Sequence, residues 1–466
     1  MIHSFEYVKK HIGEVGKVVA VAKGLVWSTD LAGATIGESV TFETGAHGMV
    51  MMLFEKQVMI AVLSRENIRV GTMVGRTGEK MKVTVGEGML GRTVTALGYS
   101  TYEDKVRSVI TESHIIDVPA VELVKRRSIK QNLATGVMSV DLLMPLGKGQ
   151  RELVIGDRKT GKSFFVKQTI LTQAKAGNIC VIAVIGKPKS EVWAYENFLR
   201  ENGIDEQCVM VAEDAQASSG EIFLAPFTAM AIAEYFRDQG KDVVVILDDL
   251  SRHAQYYREM ALLSGSFPGR EAYPGDIFFV HAHLLERAGC FDVNGKVVTI
   301  SCLPIVETVE GDLTGYLQTN LMSMTDGHLF FDINLYQNGI RPAINTRLSV
   351  TRVGRQTQGQ LLRQVERKIL DVLYKANELS RFARFGAELS VDANTTLDLA
   401  KRLQEVMQQD QLRVMSLSEQ LYRLGRVWVA TNAEAEIKIP KNLTNLDQLN
   451  SWDELIEKVK NLEVLS

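Results

Sequence analysis

The stretch that decides the fold of this 466-residue chain is GDRKTGKS, which runs from Gly156 to Ser163. It fits the pattern G-x-x-x-x-G-K-[ST], in which backbone N–H groups surround the phosphates of a nucleotide. In that pattern Lys162 is directed at the β and γ phosphate oxygens, and the Ser163 hydroxyl binds Mg²⁺. The octapeptide therefore predicts binding of a nucleoside triphosphate. The residues expected at the phosphates are Gly156, Asp157, Arg158, Lys159, Thr160, Gly161, Lys162 and Ser163.

The sequence on both sides of this loop supports the motif. ELVIG (152–156) is a short apolar run that predicts a buried strand, and SFFVKQTILTQAKA (163–176) has helical spacing. Strand, loop and helix in this order form the context that the motif requires. A second apolar run, VVVILDD (243–249), ends in carboxylates, and Asp248 is the better candidate to hold Mg²⁺ through water.

Length and composition indicate a multidomain globular protein. A chain of 466 residues predicts two or three domains, and 45% apolar with 23% charged residues is ordinary for that class. A net charge of −3 gives no general attraction to polyanions, so no nucleic acid is expected as a partner. Glu6 falls where a signal peptide needs its apolar stretch, and no apolar run reaches membrane-spanning length. We therefore expect a cytoplasmic location.

The cysteines and histidines do not form a convincing metal-binding pattern. His281 and His283 form an H-x-H pair without a third ligand nearby in the sequence, so packing explains them better than a metal site. Cysteines in apolar stretches without C-x-x-C spacing indicate reduced core thiols. The cysteines are Cys180, Cys208, Cys290 and Cys302.

Three hydrophobic patterns follow one another along the sequence. From about residue 13 to 98, alternating segments with Gly-rich turns predict a small closed β-barrel. Strand-like runs such as CVIAVIG then alternate with helix-like stretches, which predicts a mostly parallel sheet with the nucleotide at the carboxyl ends of its strands. From Leu361 onward the spacing is helical. The predicted fold is multidomain α/β: an N-terminal β-barrel (1–95), a central P-loop (RecA-like) nucleotide-binding domain (96–365), a C-terminal α-helical bundle (366–430), and a linker with a helix extension (431–466).

Further motifs make a family resemblance specific. They are DDLS (248–251), FPGREAYPGD (267–276), LLERA (284–288), IRPAINTRLSVTRVG (340–354) and Gln409-x-Gln411. Together with the loop and the domain order, they resemble the α subunit of F-type ATP synthase over roughly residues 13 to 430. The resemblance implies a ring of three α and three β subunits around a γ-type shaft, peripheral on the inner face of the cell membrane, with ATP or ADP and Mg²⁺ bound between subunits. It also implies that Arg341, Pro342, Gln409 and Gln411 line this chain's nucleotide pocket.

The residue at the place of the catalytic base is not the one that an active site requires. In the resembling β subunits, a Glu follows the Gly that ends the strand after the loop helix, whereas here Gly186 is followed by Lys187. An ammonium has no lone pair to accept a proton from water, unless its pKa is lowered severely. The resembling α subunits usually have Gln at this place, so the sequence departs from both patterns. Glu191 would reach the site only if the loop shifted register, so we expect a non-catalytic subunit.

Two cations distinguish the predicted site. Arg352 in LSVTRVG matches the arginine finger of the resembling α subunits, which acts in trans at a neighbouring β site. A guanidinium there stabilises charge on the transferring phosphoryl group and is worth roughly three to five decades in rate in analogous enzymes. Lys159 replaces the usual Gln, and it either strengthens phosphate binding or points to solvent.

Other departures concern the contacts with further subunits. The loop PGREAYPGD surrounds the shaft in the resembling family, but LLSGSF before it lacks the usual paired arginines, and Arg270 and Asp276 could be structural. The sequence begins about two helical turns before the predicted barrel, which puts attachment to a stator in doubt. The segment after about residue 430 matches no family counterpart and could contact a specialised partner.

Two alternatives stay open at the level of sequence. A self-sufficient homohexameric motor, such as a helicase or export ATPase, predicts a catalytic Glu and an aromatic, basic barrel face. The base position is instead Lys187, and the barrel segment MKVTVGEGMLGRTVTALG has few aromatic residues. A repurposed F-type-like ring component without proton-driven synthesis is the other alternative.

Overall fold

A computed structural model describes residues 4–64, 66–101, 112–384, 390–429, 439–440, 443 and 445–464. The predicted linker at 431–438 lies outside the described residues. The protein divides into two compact units. Unit 1 comprises Met1–Ser128, Gly177–Thr308 and Asp312–Thr325, and unit 2 comprises Ile129–Ala176, Val309–Gly311 and Asp326–Ser466.

Unit 1 begins with a short helix and a closed antiparallel barrel. The elements are α1 (Phe5–His11), β1 (Val15–Ala22), β2 (Leu25–Thr29), β3 (Glu38–Phe42), β4 (His47–Leu53), β5 (Val58–Val62) and β6 (Met73–Lys80). The strand order is β1-β2-β5-β4-β3-β6, and β6 pairs with β1 to close the barrel. Buried Val26, Val40, Phe42, Ile60 and Val74 belong to its core. Closure removes the unpaired edges that an open sheet would expose.

One ion-pair network ties the wall of the barrel together. The Arg76 guanidinium on β6 lies 2.9 Å from a carboxylate oxygen of Glu38 and 2.8 Å from one of Glu14. Glu38 is almost fully buried, so its charge requires this partner. The network joins β3 and β6 to the residue that precedes β1.

The α/β region follows the barrel. Its elements are β7 (Lys82–Val85), β8 (Arg92–Val94), β9 (Glu112–Ile115), β10 (Asn132–Leu133), α2 (Met138–Leu143), β11 (Leu146–Gly147), β12 (Glu152–Gly156), α3 (Lys162–Lys175), β13 (Ile179–Lys187), α4 (Lys189–Glu201), β14 (Cys208–Asp214), α5 (Ser219–Asp238), β15 (Val243–Asp248), α6 (Leu250–Leu263), α7 (Ile277–Leu285), β16 (Gly289–Val293), β17 (Lys296–Glu307), α8 (Tyr316–Met324), β18 (Gly327–Phe331), α9 (Ile333–Gln337) and β19 (Val350–Thr351).

Within unit 1 these elements form a largely parallel sheet. Strands β17, β15, β13, β14 and β8 are neighbours in that order and pair in parallel, and β16 joins β17 as an antiparallel hairpin strand. Every residue of β13 and β15 is buried, as continuous apolar runs in a parallel sheet predict. Helix α5 begins with a capping box in which Ser218 and Glu221 satisfy each other's backbone N–H groups.

Unit 2 contains the strand of the phosphate loop and the C-terminal helices. Strand β12 pairs in parallel with β18, and β18 pairs antiparallel with β19. The helices are α10 (Gln360–Arg384), α11 (Val391–Met407), α12 (Leu417–Val429) and α13 (Trp452–Val464). Consecutive members of this series pack against each other. The rings of Trp428 and Trp452 meet edge to face at 4.8 Å between centroids, which fixes α13 on α12.

The expected fold class is confirmed: an N-terminal barrel precedes an α/β region and a C-terminal helical region. The barrel is shorter than its pattern indicated, since its last strand ends at Lys80. Residues 92–94 instead form β8 and pair with β14 of the parallel sheet. The domain limits at 95, 365 and 430 remain predictions. Among the described residues, no helix is long and apolar enough to cross a membrane.

Candidate nucleotide-binding site

The predicted phosphate loop joins β12 directly to α3 in unit 2. Gly156 ends the strand beside Phe331 of β18, and a Cβ at Gly156 would lie only 2.3 Å from the Phe331 carbonyl oxygen. Gly161 precedes the helix with a φ of 97°, a conformation that glycine adopts without strain. Two of the motif's glycines are therefore required by the backbone itself. The predicted order of strand, loop and helix is confirmed.

Internal hydrogen bonds hold the loop in shape. The Lys162 ammonium donates to the carbonyl oxygens of Gly156 and Asp157, both at 2.6 Å. The Thr160 hydroxyl donates to the Asp157 carbonyl oxygen at 2.7 Å, and the Asp157 carboxylate accepts from the Gly311 N–H at 2.9 Å. Lys162 is thus fixed over the loop at the first residue of α3, where the helix dipole also favours an anion.

The loop also presents polar groups outward. Arg158, Lys159 and Ser163 are exposed, and Lys159 has a φ of 61° in the left-handed region. The exposed position of Lys159 is compatible with both of its predicted roles. An exposed hydroxyl at Ser163 fits the role of a Mg²⁺ ligand, because a metal ligand must be accessible.

A cavity of about 360 Å³ in unit 2 includes part of the predicted pocket. Its lining includes Arg341, Pro342, Leu335, Met407 and Gln408. The Arg341 guanidinium lies over the ring of Tyr336, 3.5 Å from its centroid, and donates to the Tyr336 carbonyl oxygen at 2.7 Å. Polar and apolar residues contribute to the lining in similar numbers, so the cavity offers hydrogen-bonding groups as well as apolar surface.

The predicted glutamine pair lies just beyond α11. Gln409 is buried, and its side-chain amide donates to the Gly136 carbonyl oxygen at 2.9 Å. Its backbone N–H donates to the Arg341 carbonyl oxygen at 2.8 Å, so Gln409 positions the segment that carries Arg341. Gln411 is exposed, and neither glutamine is among the residues that line the cavity in the described part of the protein. Their contact with a nucleotide stays a prediction.

Asp248 lies in unit 1, at the end of β15, in a buried cluster. The Lys187 ammonium lies 2.5 Å from Asp248 Oδ1, and the Tyr195 hydroxyl donates to Asp248 Oδ2 at 2.8 Å. Lys187 also lies 3.2 Å from Glu191 Oε2 and 3.9 Å from Asp249 Oδ2. The Lys187 ammonium thus lies among three carboxylates, and the Arg252 guanidinium also lies 3.9 Å from Asp249 Oδ2.

The electrostatics of this cluster keep Lys187 charged. Burial lowers the pKa of Lys187, but the charges of Asp248 and Asp249 outweigh burial, so the pKa lies above its ordinary value. Burial and the neighbouring Asp248 raise the pKa of the Tyr195 hydroxyl well above its usual range. Tyr195 therefore stays protonated and acts as a hydrogen-bond donor to Asp248.

These contacts concern the carboxylate that the sequence offers as a Mg²⁺ ligand. Each oxygen of Asp248 accepts from one donor, and one of the donors is a cation. A carboxylate oxygen has two lone pairs, so each oxygen keeps one for a further donor. The roles of Ser163 and Asp248 at Mg²⁺ stay predictions.

The predicted arginine finger follows the last strand of unit 2. Arg352 comes directly after β19, and its side chain is exposed. Its backbone N–H donates to the Asp326 carbonyl oxygen at 3.0 Å. The geometry thus anchors the backbone of Arg352, and its role as an arginine finger stays a prediction.

The other sequence features have structural partners. His281 Nε2 lies 3.0 Å from His253 Nδ1, while His283 Nε2 lies 2.8 Å from a carboxylate oxygen of Asp117. No group of three or more potential metal ligands occurs among the residues that the structure describes. The four cysteines are buried, and none of them forms a disulfide bond. In the loop PGREAYPGD, Asp276 accepts from the Tyr257 hydroxyl at 2.7 Å, and Phe267 just before it is 94% exposed.

Sequence reasoning missed Tyr195, Gln408 and Asp326. Tyr195 lies eight residues after Lys187 on α4, and nothing in the local pattern links it to Asp248. Gln408 directly precedes the predicted pair Gln409-x-Gln411 and lines the cavity itself. Asp326, in TDG before β18, accepts from the Arg151 guanidinium just before the loop strand. The sequence signal that could have pointed to Asp326 is an acidic residue between an apolar helix and a strand.

The loop and the fold together define a P-loop nucleotide-binding protein. The model of the nucleotide-binding domain of the ATP synthase alpha/beta family matches residues 136–351, and the model of the C-terminal domain of the same family matches residues 358–437. The ATP synthase subunit alpha of Sulfurovum sp. (strain NBC37-1) is 40% identical over 409 residues, which cover 88% of this protein and 81% of the relative. The subunit alpha of Clostridium kluyveri (strain NBRC 12016) is 38% identical over 407 residues, covering 87% and 81%. The protein belongs to the ATP synthase alpha/beta family and is of the alpha-subunit type.

Proposed function

We propose that this protein is a non-catalytic subunit that binds ATP or ADP through its phosphate loop and donates Arg352 to a neighbouring catalytic site. Its partners are β-type subunits in an alternating three-plus-three ring and a γ-type shaft, to which the exposed Phe267 and the loop after it offer a contact surface. The ring is peripheral on the inner face of the cell membrane. The complex hydrolyses or makes ATP, and this subunit assists.

Nucleotide binding is supported by the conformation and the positive charge of the phosphate loop. Lys162 is held at the first turn of α3 by two carbonyl oxygens, and Arg158 and Lys159 add exposed positive charge. Backbone N–H groups, a helix N-terminus and three cations together favour a polyphosphate.

The single observation that carries the non-catalytic role is the ion pair of Lys187. A general base must have a lone pair and lie within hydrogen-bond reach of the attacking water. Lys187 is a buried cation bound to Asp248, and the same ammonium engages Glu191, the alternative base. The ammonium has no lone pair to offer and Glu191 is drawn towards it, which supports a non-catalytic role.

Donation of Arg352 is supported by its exposure and its anchored backbone. A guanidinium stabilises the charge that develops on the equatorial oxygens during phosphoryl transfer, and supplying it from another subunit couples turnover to assembly. In this role Arg352 touches the nucleotide of its neighbour and not the one bound to its own subunit.

The experiment compares the purified subunit alone with the subunit reconstituted with the β-type partner of the same organism. We expect bound nucleotide with negligible hydrolysis for the subunit alone, and rapid hydrolysis after the partner is added. Rapid hydrolysis by the subunit alone would instead favour the self-sufficient homohexameric motor. Loss of nucleotide binding would contradict the role of the loop.

A further inference from the structure

A second cavity of unit 2, of about 520 Å³, lies beside the first turns of α10. Its volume falls in the range of small-molecule sites. Four of its lining residues follow the helical spacing i, i+3, i+4 and i+7, so they share one face of α10. It shares no lining residue with the cavity that includes Arg341. Its lining residues are Gln358, Gly359, Gln360, Arg363, Gln364 and Arg367.

The lining of this cavity is positively charged. Arg363 and Arg367 are exposed and lie four residues apart on α10, so their like charges repel each other across one turn. Within the described part of the chain, neither guanidinium has a carboxylate partner, and no acidic residue lines the cavity. Glu366 on the same helix is buried and pairs with Arg355. Two arginines without a counterion favour binding of an anion.

The start of α10 adds to this positive charge. The helix has 25 residues, and its first turn contains no acidic side chain. Gly359, directly before it, has no side chain to accept from the first N–H groups, which lack acceptors within the helix. Such a helix end attracts anions through its N–H groups and its dipole. A Cβ at Gly359 would meet no atom within 4 Å, so the space beside the first turn is open.

A buried glutamine independently indicates a ligand. Gln358 lines the cavity and is only 3% exposed, yet among the described residues neither Nε2 nor Oε1 of its side chain has a hydrogen-bond partner. A buried amide without partners is unfavourable, because it has given up its hydrogen bonds to water. An oxyanion in the cavity can accept from Nε2, and a hydroxyl of the same molecule can donate to Oε1.

We propose that this cavity binds the phosphoryl group of a small molecule, at a site distinct from the phosphate loop. Arg363 and Arg367 bind the phosphoryl oxygens, since a guanidinium forms paired, charge-assisted hydrogen bonds with phosphate. Gln358 donates to the same group through Nε2. The cavity is larger than a phosphate ion, so an organic phosphate with hydroxyl groups fits it. This inference does not depend on the proposed nucleotide binding.

The test measures binding of radiolabelled inorganic phosphate to the full-length protein by equilibrium dialysis. Phosphate can also enter the phosphate loop, so the wild type is compared with Lys162→Ala, in which the loop is impaired. We expect saturable binding to persist in Lys162→Ala with a dissociation constant of about 1 mM or below. No saturable binding to Lys162→Ala up to about 10 mM phosphate would overturn the inference.

Competition with glucose 6-phosphate identifies the source of the phosphoryl group. We expect this sugar phosphate to displace the label at lower concentration than unlabelled phosphate does, because its hydroxyl groups reach Gln358 Oε1. Displacement only at higher concentration would overturn the assignment to an organic phosphate and would leave free phosphate as the ligand.

The double variant Arg363→Gln with Arg367→Gln tests the two guanidinium groups. In the Lys162→Ala background it is expected to raise the dissociation constant for phosphate at least about tenfold, because the charge-assisted hydrogen bonds are lost. Lys368→Gln is the matched control, since Lys368 is an exposed cation of the same helix that does not line the cavity. An equal loss of affinity in the control would indicate general charge attraction and would overturn the inference.

Two further variants in the same background separate ligand binding from folding. Gly359→Asp places a carboxylate at the start of α10, so it is expected to raise the Tm and to prevent phosphate binding. Gln358→Met is expected to weaken phosphate binding at least about threefold without lowering the Tm of the phosphate-free protein, because its amide has no protein partner to lose. Phosphate affinity that is unchanged in both variants would overturn the inference.

Discussion

The Arg352 N–H donates to the carbonyl oxygen of Asp326 at 3.0 Å, while the carboxylate of Asp326 accepts from the Arg151 guanidinium at 2.7 Å and 3.1 Å. Asp326 therefore ties the segment of Arg352 to the residue just before the phosphate-loop strand. The Arg352 side chain stays exposed. The backbone of Arg352 is thus fixed within unit 2, at a place where its side chain reaches solvent.

Replacement of Arg352 by Ala tests the finger assignment. The complex is expected to assemble and this subunit to keep its nucleotide, but multi-site turnover should fall by at least about a hundredfold, since transition-state charge is left without its cation. Arg355→Ala is the control, because Arg355 lies three residues on, is 60% exposed and pairs with Glu366 of the same subunit. Near-normal turnover of Arg352→Ala in steady-state assays would remove the assignment.

Replacement of Lys162 by Ala tests the phosphate loop. The ammonium at the start of α3 is lost, so nucleotide binding by the isolated subunit should disappear, whereas much of the hydrolysis by the complex should remain. Lys175→Ala at the other end of α3 is the control and should bind normally. Nucleotide retained by the subunit after gel filtration is the readout. Complete loss of hydrolysis would mean that this site is catalytic.

Asp249, a buried carboxylate of the Lys187 cluster, predicts that the stability of the protein depends on pH. Burial raises the pKa of Asp249 to about 6, with Asp248 adding to the rise and Lys187 opposing it. The folded state therefore holds this proton more tightly than the unfolded state, whose value is near 3.8. The contribution of the protonated Asp249 to the free energy of unfolding is present below about pH 4 and is lost as the pH rises through about 6.

Asp249→Asn removes this titration but keeps an oxygen to cap α6, where Asp249 accepts from the Arg252 N–H at 2.8 Å. The Tm of the variant relative to the wild type should therefore rise between about pH 4 and about pH 7. Asp398→Asn on the exposed face of α11 is the control. A Tm difference that is constant with pH, or that falls, would contradict the raised pKa.

The C-terminal helix makes a separate prediction. Trp452 is 8% exposed and packs edge to face on Trp428, so Trp452→Ala should cost about 3 kcal/mol of the local stability of the helical region. Trp193→Ala is the control, because Trp193 is 59% exposed. Hydrogen exchange of α12 is the measurement. Unchanged protection of α12 would mean that α13 does not stabilise it.

Local patterns predicted the parts of the fold that depend on neighbouring residues. Strand β12, the loop and α3 lie together in the sequence, so their order could be read from spacing. The end of the barrel could not, because β8 follows glycines as the barrel strands do and its partner β14 lies more than 100 residues away. Alternation reports one buried face and does not say which sheet buries it.

The same limit applies to the site. The sequence indicated that Lys187 is not a base, since this follows from the chemistry of an ammonium. It did not indicate that Lys187 pairs with Asp248, because the contact joins the ends of two parallel strands, β13 and β15. Gln409 shows the converse. The motif indicated a contact with the nucleotide, whereas the side-chain amide of Gln409 donates to the backbone carbonyl oxygen of Gly136.

We propose that this subunit binds a nucleoside triphosphate without cleaving it. The direct measurement loads the purified subunit with ATP labelled at the γ-phosphate, removes free nucleotide, and follows release of labelled phosphate from the bound fraction. The bound ATP is expected to stay intact over many turnover times of the reconstituted complex. Stoichiometric release of labelled phosphate within a single turnover time would contradict it.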